Sequence, residues 1–218
     1  MELLDIGLCP YAEAVEIQKT IHDEVSSGQR SSTLILCEHP HVYTLGKSAD
    51  KNNLLVNQVF LDSIKAEVHQ TDRGGDITYH GPGQLVGYPI VQLADYNLGV
   101  RSYVELLEKA LIDSLASFNI TAYQIPSLVG IWLGQENEVK RKIGAIGIKV
   151  SRGVSMHGFA LNVNTDLSYF SHIVPCGITD KSVTSIQKEL GSDLMLDFKK
   201  AFTHLFTEAL IQKQVANL

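Results

Sequence analysis

The sequence is poor in cysteine, in basic residues and in long apolar runs, and each scarcity excludes a class of protein. Its 218 residues include three cysteines, Cys9, Cys37 and Cys176. An odd number of cysteines without metal-like spacing argues against a disulfide framework and against a metal site. No stretch reaches the ~18 apolar residues of a membrane span. We therefore expect reduced thiols and no transmembrane segment.

Basic residues are outnumbered by acidic ones, 18 to 24, which gives a formal net charge of −6. Because phosphate binding requires a cationic face, nucleic acid is not an expected partner. The first residues, MELLDIGLCPYAEA, place acids at positions 2 and 5 before any apolar run develops, so they do not resemble a signal peptide. Hydrophobic residues make up 44% of the chain, enough for a core. These features predict a soluble cytoplasmic protein.

Apolar periodicity predicts the fold class. Strands are predicted at residues 3 to 8 and in the segments STLILCEH, HVYTLG, EVHQTD, QLVGYPIVQL, TAYQI, VGIWLG, KIGAIGIKV and SMHGFALNV. Helices are predicted at residues 11 to 25, in LDSIKAE, in SYVELLEKALIDSLASF with Ser102 as N-cap, and in LMLDFKKAFTHLFTEALI. Strands joined by short turns, with long helices early, middle and late, predict one α+β domain over residues 1–218. Its sheet is expected to be mostly antiparallel or mixed and to be flanked by helices.

The segment RGGDITYHGPGQLVGYPI, residues 73 to 90, is unusually rich in glycine for an apolar stretch. It lacks the Gly-Lys-Ser/Thr of a P-loop and the Gly-x-Gly-x-x-Gly of dinucleotide folds. Glycine weakens a strand unless a bulge or a close backbone approach requires it. The segment is therefore either a structural turn or the wall of a groove in which a long, thin ligand lies against the main chain.

Cys176 differs from the other cysteines because Pro175 and Gly177 flank it in VPCGI. Proline and glycine predict a rigid turn that can present a thiol, whereas Cys9 and Cys37 fit small buried hydrophobes. A nucleophilic thiol needs a nearby cation to lower its pKa. The candidate partners are His157, His172, Lys140, Arg141 and Lys142, and sequence spacing does not choose among them.

Three long motifs resemble the lipoyl(octanoyl) transferase family of lipoate biosynthesis. They are RGGDITYHGPGQLVGYPI, RKIGAIGIKVSRGVSMHGFALNVNTDL and IVPCGI, in that order, within a resemblance that covers nearly the whole chain. The resemblance implies the catalytic fold of biotin and lipoate protein ligases. It further implies Cys176 as the nucleophile that forms an acyl thioester, and Lys142 as the residue that lowers its pKa and moves protons.

The same resemblance implies a set of substrate-binding residues. They are Arg73, Gly74, Gly75, Asp76, Ile77, Thr78, Tyr79 and His80, then Ala145, Ile146 and Gly147, and finally Gly158, Phe159 and Ala160. The hydrocarbon chain of an octanoyl group has no polar groups, so a protein must recognise it by shape and apolar contact. Glycines are expected to let backbone form a tunnel wall, and a larger side chain at Gly147 or Gly158 is expected to narrow that tunnel.

The implied reaction is an acyltransferase reaction that needs no metal and no cofactor. An octanoyl group passes from octanoyl-acyl carrier protein, through Cys176, to a lysine of a lipoyl domain. The implied acceptors are lipoyl domains of 2-oxoacid dehydrogenase E2 subunits and the glycine cleavage H protein. Two alternatives stay open, an ATP-dependent lipoate or biotin ligase and a noncatalytic acyl-binding protein. The roles of Arg73 (loop bracing or carbonyl orientation), His80 (carbonyl orientation) and His157 (support of the site) also stay open.

Overall fold

A computed structural model describes residues 1–126, 128–135, 138–174 and 182–215 of the chain. Its helices are α1 Tyr11–Ser26, α2 Gln58–Ser63, α3 Val100–Ala116, α4 Ile186–Leu190 and α5 Met195–Val215, with short 3₁₀ turns at Lys51–Asn53, Leu93–Tyr96 and Leu167–His172. Among these residues, no helix is both long enough and apolar enough to cross a membrane.

The strands occur in groups between these helices along the chain. They are β1 Glu2–Leu8, β2 Thr33–Glu38, β3 Val42–Leu45, β4 Glu67–Gln70, β5 Ile77–His80, β6 Gln84–Ile90, β7 Tyr123–Ile125, β8 Leu128–Leu133, β9 Arg141–Ser151, β10 Val154–Asn162 and β11 Ser182–Val183. Within the described ranges they form an eight-stranded main sheet and a three-stranded small sheet.

The main sheet is mixed, with strand order β1-β2-β6-β10-β9-β8-β7. The β1–β2 pair is parallel, and the pairs from β2 to β7 are antiparallel. The short strand β11 pairs in parallel with the start of β9. The small sheet has the order β4-β3-β5. The central strands β6 and β10 are buried along their whole length, as expected for strands covered on both faces.

Helices cover the two faces of the main sheet. On one face, α3 and α5 pack against residues such as Ile131, Ile143 and Leu161. Phe198 and Phe202 of α5, one helical turn apart, are fully buried there. On the other face, α1 packs against a second cluster that includes Val86 and Ala160. The main sheet is therefore the central layer of the molecule.

Most of the predicted elements are confirmed, and the α+β class with a mixed sheet is confirmed with them. Two boundaries are wrong. Ser102 is not the N-cap of α3, because the helix begins at Val100 after the cap residue Gly99, and Ser102 Oγ accepts a hydrogen bond from the Gly99 N–H at 3.0 Å. The helix predicted over LDSIKAE lies earlier, where Asn57 caps its first turn by accepting from the Phe60 N–H.

Candidate active site

A cavity of about 380 Å³ lies between the small sheet and the end of the main sheet formed by β8, β9 and β10. This volume falls within the usual range of small-molecule sites, about 300–1,000 Å³. Its wall is largely apolar, with Ile77, Ile146 and Phe170 among its lining, and Lys142 is the cation that the described residues contribute to it. The exposed side chain of Val129 also lines it. The cavity can therefore hold an apolar chain beside one ammonium group.

A second, smaller cavity of about 30 Å³ continues from the first along the sheet. The two share Thr78, Ala145 and Ala160, of which Ala145 and Ala160 are paired directly across β9 and β10. Buried Tyr11 and Tyr88 line the small cavity. The small cavity therefore adjoins the large one at the three shared residues, and a tunnel through both would end at the two tyrosines.

The structure brings most of the predicted substrate-binding residues to these two cavities. Those that line one or both are Arg73, Gly75, Asp76, Ile77, Thr78, His80, Ala145, Ile146, Gly147, Gly158, Phe159 and Ala160. Gly74 and Tyr79 line neither of the two. Gly74 instead donates its N–H to the Ile148 carbonyl at 2.9 Å, and the Tyr79 hydroxyl hydrogen-bonds to Nδ1 of His41 at 2.8 Å.

Lys142 reaches the cavity because the pairing between β8 and β9 contains a bulge. Ile131 pairs with Gly144 and Trp132 with Lys142, so Ile143 is an extra residue in β9. Ile143 packs into the core beneath α3 and α5. In an unbroken strand Lys142 would share the face of Gly144, whereas the bulge places it on the cavity wall, with Ala145. Bulges commonly re-aim a side chain in this way next to active sites.

The Lys142 ammonium lies over the Trp132 ring, 5.2 Å from its centroid. Such a contact favours the charged form of the lysine and restricts its position. Of the other predicted cations, Arg141 is bound to Glu189 at 3.0 Å and His172 to the Tyr43 hydroxyl at 2.7 Å. Lys142 is the candidate cation whose side chain the structure places on the wall of the large cavity.

Cys176 lies outside the described residues, but both flanks of its segment are fixed. Before it, the Val174 N–H donates to the Asn53 carbonyl at 2.8 Å. After it, Val183 of β11 pairs with Lys142 and lines the large cavity. Of these two flanks, the one after Cys176 therefore borders the large cavity, at Val183. Cys9 and Cys37 are buried, and burial raises the pKa of both thiols, as expected for inert cysteines.

Arg73 braces the glycine-rich loop. Its Nη2 donates to the Thr44 carbonyl at 2.7 Å and to the Thr44 hydroxyl at 2.9 Å, and its Nη1 donates to the Gly74 carbonyl at 3.1 Å. The side chain is 9% exposed. These contacts join the loop to β3, which favours the bracing role over orientation of a substrate carbonyl.

His80 is a neutral buried residue at the inner cavity. Its Nδ1 donates to Oε1 of Gln84 at 2.7 Å, which leaves Nε2 as the lone-pair nitrogen facing the Thr44 hydroxyl at 3.4 Å. Burial lowers its pKa to about 3. Because its one N–H is committed to Gln84, His80 has no donor to offer a thioester carbonyl. Its position fits contact with the inner end of a bound chain.

His157 is held in a left-handed backbone conformation, with φ of 59°, at the same cavity. Its Nε2 donates to the Asp72 carboxylate at 2.7 Å, and Lys149 donates to the other Asp72 oxygen at 2.6 Å. Burial raises the pKa of Asp72, but these two hydrogen bonds outweigh it and bring the pKa down to about 2. The histidine therefore connects β10 to the start of the glycine-rich loop, which agrees with support of the site.

Stability should fall in mild acid because two buried histidines are neutral in the fold. Burial lowers the pKa of His39 to about 4 and that of His80 to about 3, against about 6.5 in an unfolded chain. Both folded values lie below the unfolded one, so stability is complete above about pH 6.5 and is lost as the pH falls. Near pH 5 the unfolded state binds about two more protons, which lowers the free energy of unfolding by about 2.7 kcal/mol per pH unit.

Urea titrations between about pH 7 and pH 5 measure this slope. A free energy of unfolding that stays constant over that range would show that the two histidines are not neutral in the fold.

Gly158 is required by the packing of the sheet. A Cβ on this residue would lie 2.1 Å from the Gly87 carbonyl oxygen and 2.6 Å from Cδ of Pro89. A Cβ on Gly147 would likewise meet the Gly74 carbonyl oxygen, at 2.8 Å. These contacts favour a structural role for both glycines over the expected narrowing of the tunnel, because an added side chain would meet protein backbone first.

Gly158→Ala should destabilise the fold without changing the preference for acyl chain length. Overpacking of this kind costs about 1–3 kcal/mol. Thermal unfolding, together with activity on a series of acyl chains, separates the two effects. Gly99→Ala is the matched control, because the nearest atom to its Cβ is 3.9 Å away and its φ is −86°. A changed chain-length preference at unchanged stability would contradict this account.

Tyr11, Trp132 and Glu108 are among the lining or neighbouring residues that were not predicted from the sequence. Tyr11 stacks on His80 with ring centroids 6.2 Å apart, and Trp132 is the aromatic neighbour of Lys142. Glu108 is a carboxylate on the buried face of α3. Of these three, Glu108 could have been identified from the sequence, because it lies one helical turn from Leu111, on the apolar side of a predicted amphipathic helix.

Comparisons with known proteins agree with this geometry. Residues 10–207 match the model of the Lipoyl protein ligase A/B catalytic domain family. An octanoyltransferase of Bacteroides fragilis is 46% identical, over 96% of this chain and 97% of its own length. An octanoyltransferase of Bacteroides thetaiotaomicron is 49% identical, over 89% of this chain and 88% of its own length.

Solved structures with low sequence identity share the fold. Lipoate-protein ligase A bound with ATP superposes with a TM-score of 0.72 at 18% identity, covering 96% of this chain and 85% of that one. The biotin protein ligase of Aquifex aeolicus, in complex with biotin and ATP, gives a TM-score of 0.57 at 10% identity, covering 98% and 72%. The fold is thus that of the lipoate and biotin ligases, and by its sequence the chain belongs to the octanoyltransferases of the lipoyl protein ligase A/B catalytic domain family.

Proposed function

We propose that this acyltransferase moves an octanoyl group from octanoyl-acyl carrier protein to a lysine of a lipoyl domain, through a thioester on Cys176. The acceptors are the lipoyl domains of 2-oxoacid dehydrogenase E2 subunits and the glycine cleavage H protein. Residues 1–218 act as one catalytic domain, in the cytoplasm. The observation that carries the proposal is an ammonium, Lys142, on the wall of an apolar cavity whose edge includes Val183, on the returning flank of the Cys176 segment.

The reaction divides into two acyl exchanges. The Cys176 thiolate attacks the donor thioester carbonyl, a new carbon–sulfur bond forms, and the carrier thiolate leaves and takes up a proton. The uncharged lysine amine of the acceptor then attacks the Cys176 thioester, an amide forms, and the Cys176 thiolate is released. The amine proton passes to solvent through Lys142, a titratable group on the cavity wall. Because the donor thioester is already activated, the sequence of steps consumes no nucleotide.

Apolar contact holds the acyl chain. Each buried methylene contributes about 0.8 kcal/mol, so chain length sets affinity until the tunnel ends. Ile77 and Ile146 line the outer cavity, and Tyr11 and Tyr88 the inner one. The carbonyl end then lies towards Lys142, where charge develops during the reaction.

The proposal is tested by transfer in the absence of ATP. Full-length protein is mixed with octanoyl-acyl carrier protein and a lipoyl domain, and the acceptor is followed by mass spectrometry. Octanoylation of the lipoyl domain without ATP is the expected result. Transfer of free octanoate or lipoate that requires ATP would favour a ligase, in line with the ATP-bound neighbours of the same fold. Binding of the acyl chain without transfer would favour a noncatalytic carrier.

A further inference from the structure

Glu108 is a buried carboxylate that the proposed reaction does not use. It lies on α3 with an exposed fraction of 8%, among the side chains that face the main sheet. Its Oε1 accepts a hydrogen bond from the Gly130 N–H of β8 at 3.2 Å. A buried carboxylate is costly unless hydrogen bonds or a cation compensate it. Its location therefore calls for a second partner beyond Gly130.

The charge of Lys142 also acts on this carboxylate. Burial raises the pKa of the Glu108 carboxyl and the Glu105 charge adds to this, whereas the Gly130 hydrogen bond and, more weakly, the Lys142 charge lower it. The interaction is reciprocal, so a charged Glu108 favours the ammonium form of Lys142.

Gly130 connects the two residues structurally. Its φ is +130°, a conformation that side-chain-bearing residues rarely adopt. A Cβ on Gly130 would lie 2.6 Å from Cε and 3.1 Å from Nζ of Lys142, and 2.7 Å from the Gly144 carbonyl oxygen. The end of the lysine side chain therefore lies directly against the Gly130 backbone, with the Trp132 ring also beside it. Any displacement of Gly130 would displace the ammonium.

We infer that Glu108 is a positioning residue for Lys142, which fixes the Gly130 backbone against the lysine side chain and keeps the ammonium charged at the cavity wall. The inference rests on the proposed function for the role of Lys142 in activating Cys176. It assigns to α3, a helix of the opposite face of the sheet, a direct influence on the cavity.

The test measures the titration of Lys142 itself. Full-length protein is acylated with trace acetic anhydride over a range of pH, and the extent at Lys142 is read from its peptide. Glu108→Gln keeps an oxygen acceptor for Gly130 but removes the charge. We expect it to lower the midpoint of Lys142 acylation by about half a pH unit or more, equal to about a threefold larger neutral fraction at a given pH. Under the proposed function, kcat/KM for octanoyl transfer should fall by a similar or larger factor.

Two matched variants separate charge from packing. Asp113→Asn removes one charge from the same helix at an exposed position paired with Lys109, and should leave the midpoint unchanged. Glu108→Asp retains the charge and should restore most of the parent midpoint. An unchanged midpoint in Glu108→Gln overturns the inference, whatever its melting temperature. Equal shifts in Glu108→Asp and Glu108→Gln also overturn it, because packing would then be the cause.

This test is independent of the proposed function. The midpoint of Lys142 is measured without any turnover. If it moves while Lys142→Ala leaves octanoyl transfer intact, the inference holds and the proposed catalytic role of Lys142 fails. If the midpoint stays unchanged in Glu108→Gln while Lys142→Ala abolishes transfer, the inference about Glu108 fails and the proposed catalytic role of Lys142 holds.

Discussion

Replacing Cys176 with serine is expected to reduce octanoyl transfer by at least about a thousandfold. A thiol has a pKa near 8.5, and a nearby ammonium can make its thiolate a major species at neutral pH. A serine hydroxyl is far less acidic, so the same ammonium leaves it un-ionised. The substitution changes one atom, and the melting temperature is expected to stay close to that of the parent. Steady-state transfer to a lipoyl domain measures the effect.

Cys9→Ser is the matched control for this prediction. Cys9 is buried, burial raises the pKa of its thiol, and it lies in the α1-facing core. Cys9→Ser protein that has folded should therefore transfer octanoyl groups at the rate of the parent. If the parent and Cys176→Ser turned over at comparable rates, Cys176 could not be the nucleophile.

Replacing Lys142 with alanine is expected to raise the pH midpoint for alkylation of Cys176 by about one to two units. An ammonium ~4 Å from a thiolate contributes on the order of 4 kcal/mol at an effective dielectric of about 20, before desolvation is subtracted. Lys142→Arg should retain part of this shift but lose proton transfer, because a guanidinium hardly deprotonates. Iodoacetamide labelling of the Cys176 peptide across the pH range measures the midpoint.

Lys140→Ala provides the comparison for Lys142. The Lys140 ammonium donates to the Gly134 and Gln135 carbonyls and lies over the Tyr123 ring, 5.6 Å from its centroid. Its loss should leave the Cys176 midpoint in place. A midpoint that is the same in parent and Lys142→Ala would exclude the lysine and direct attention to His157 or His172.

Most helices and strands could be predicted from the sequence because their apolar residues recur at clear helical or strand spacing. The buried run QLVGYPI became the central strand β6, and the spacing of Phe198, Phe202 and Phe206 became the buried face of α5. Boundaries were less accurate. The N-cap of α3 was predicted three residues too late because glycine and serine both suit a helix start. The contact between Gly99 and Ser102 that closes this turn depends on a side-chain hydrogen bond.

The candidate site was predictable only in part. The motifs identified the residues that line the tunnel, but simple alternation along β9 places Lys142 on the core face with Gly144. The bulge at Ile143 depends on the register between β8 and β9, a pairing that no local pattern specifies. The sequence likewise indicated that some group lies close to the Gly158 backbone. It could not identify that group as the Gly87 carbonyl, because this contact depends on the pairing of distant strands.

The central claim, an acyl-enzyme on Cys176, is tested most directly by mass spectrometry of the loaded protein. Full-length protein is incubated with octanoyl-acyl carrier protein, without ATP and without acceptor, then quenched in acid and digested. The account predicts one octanoyl group per chain, on the peptide that contains Cys176, and its loss when a lipoyl domain is added. An adduct on Cys9 or Cys37, or turnover without any adduct at Cys176, would contradict it.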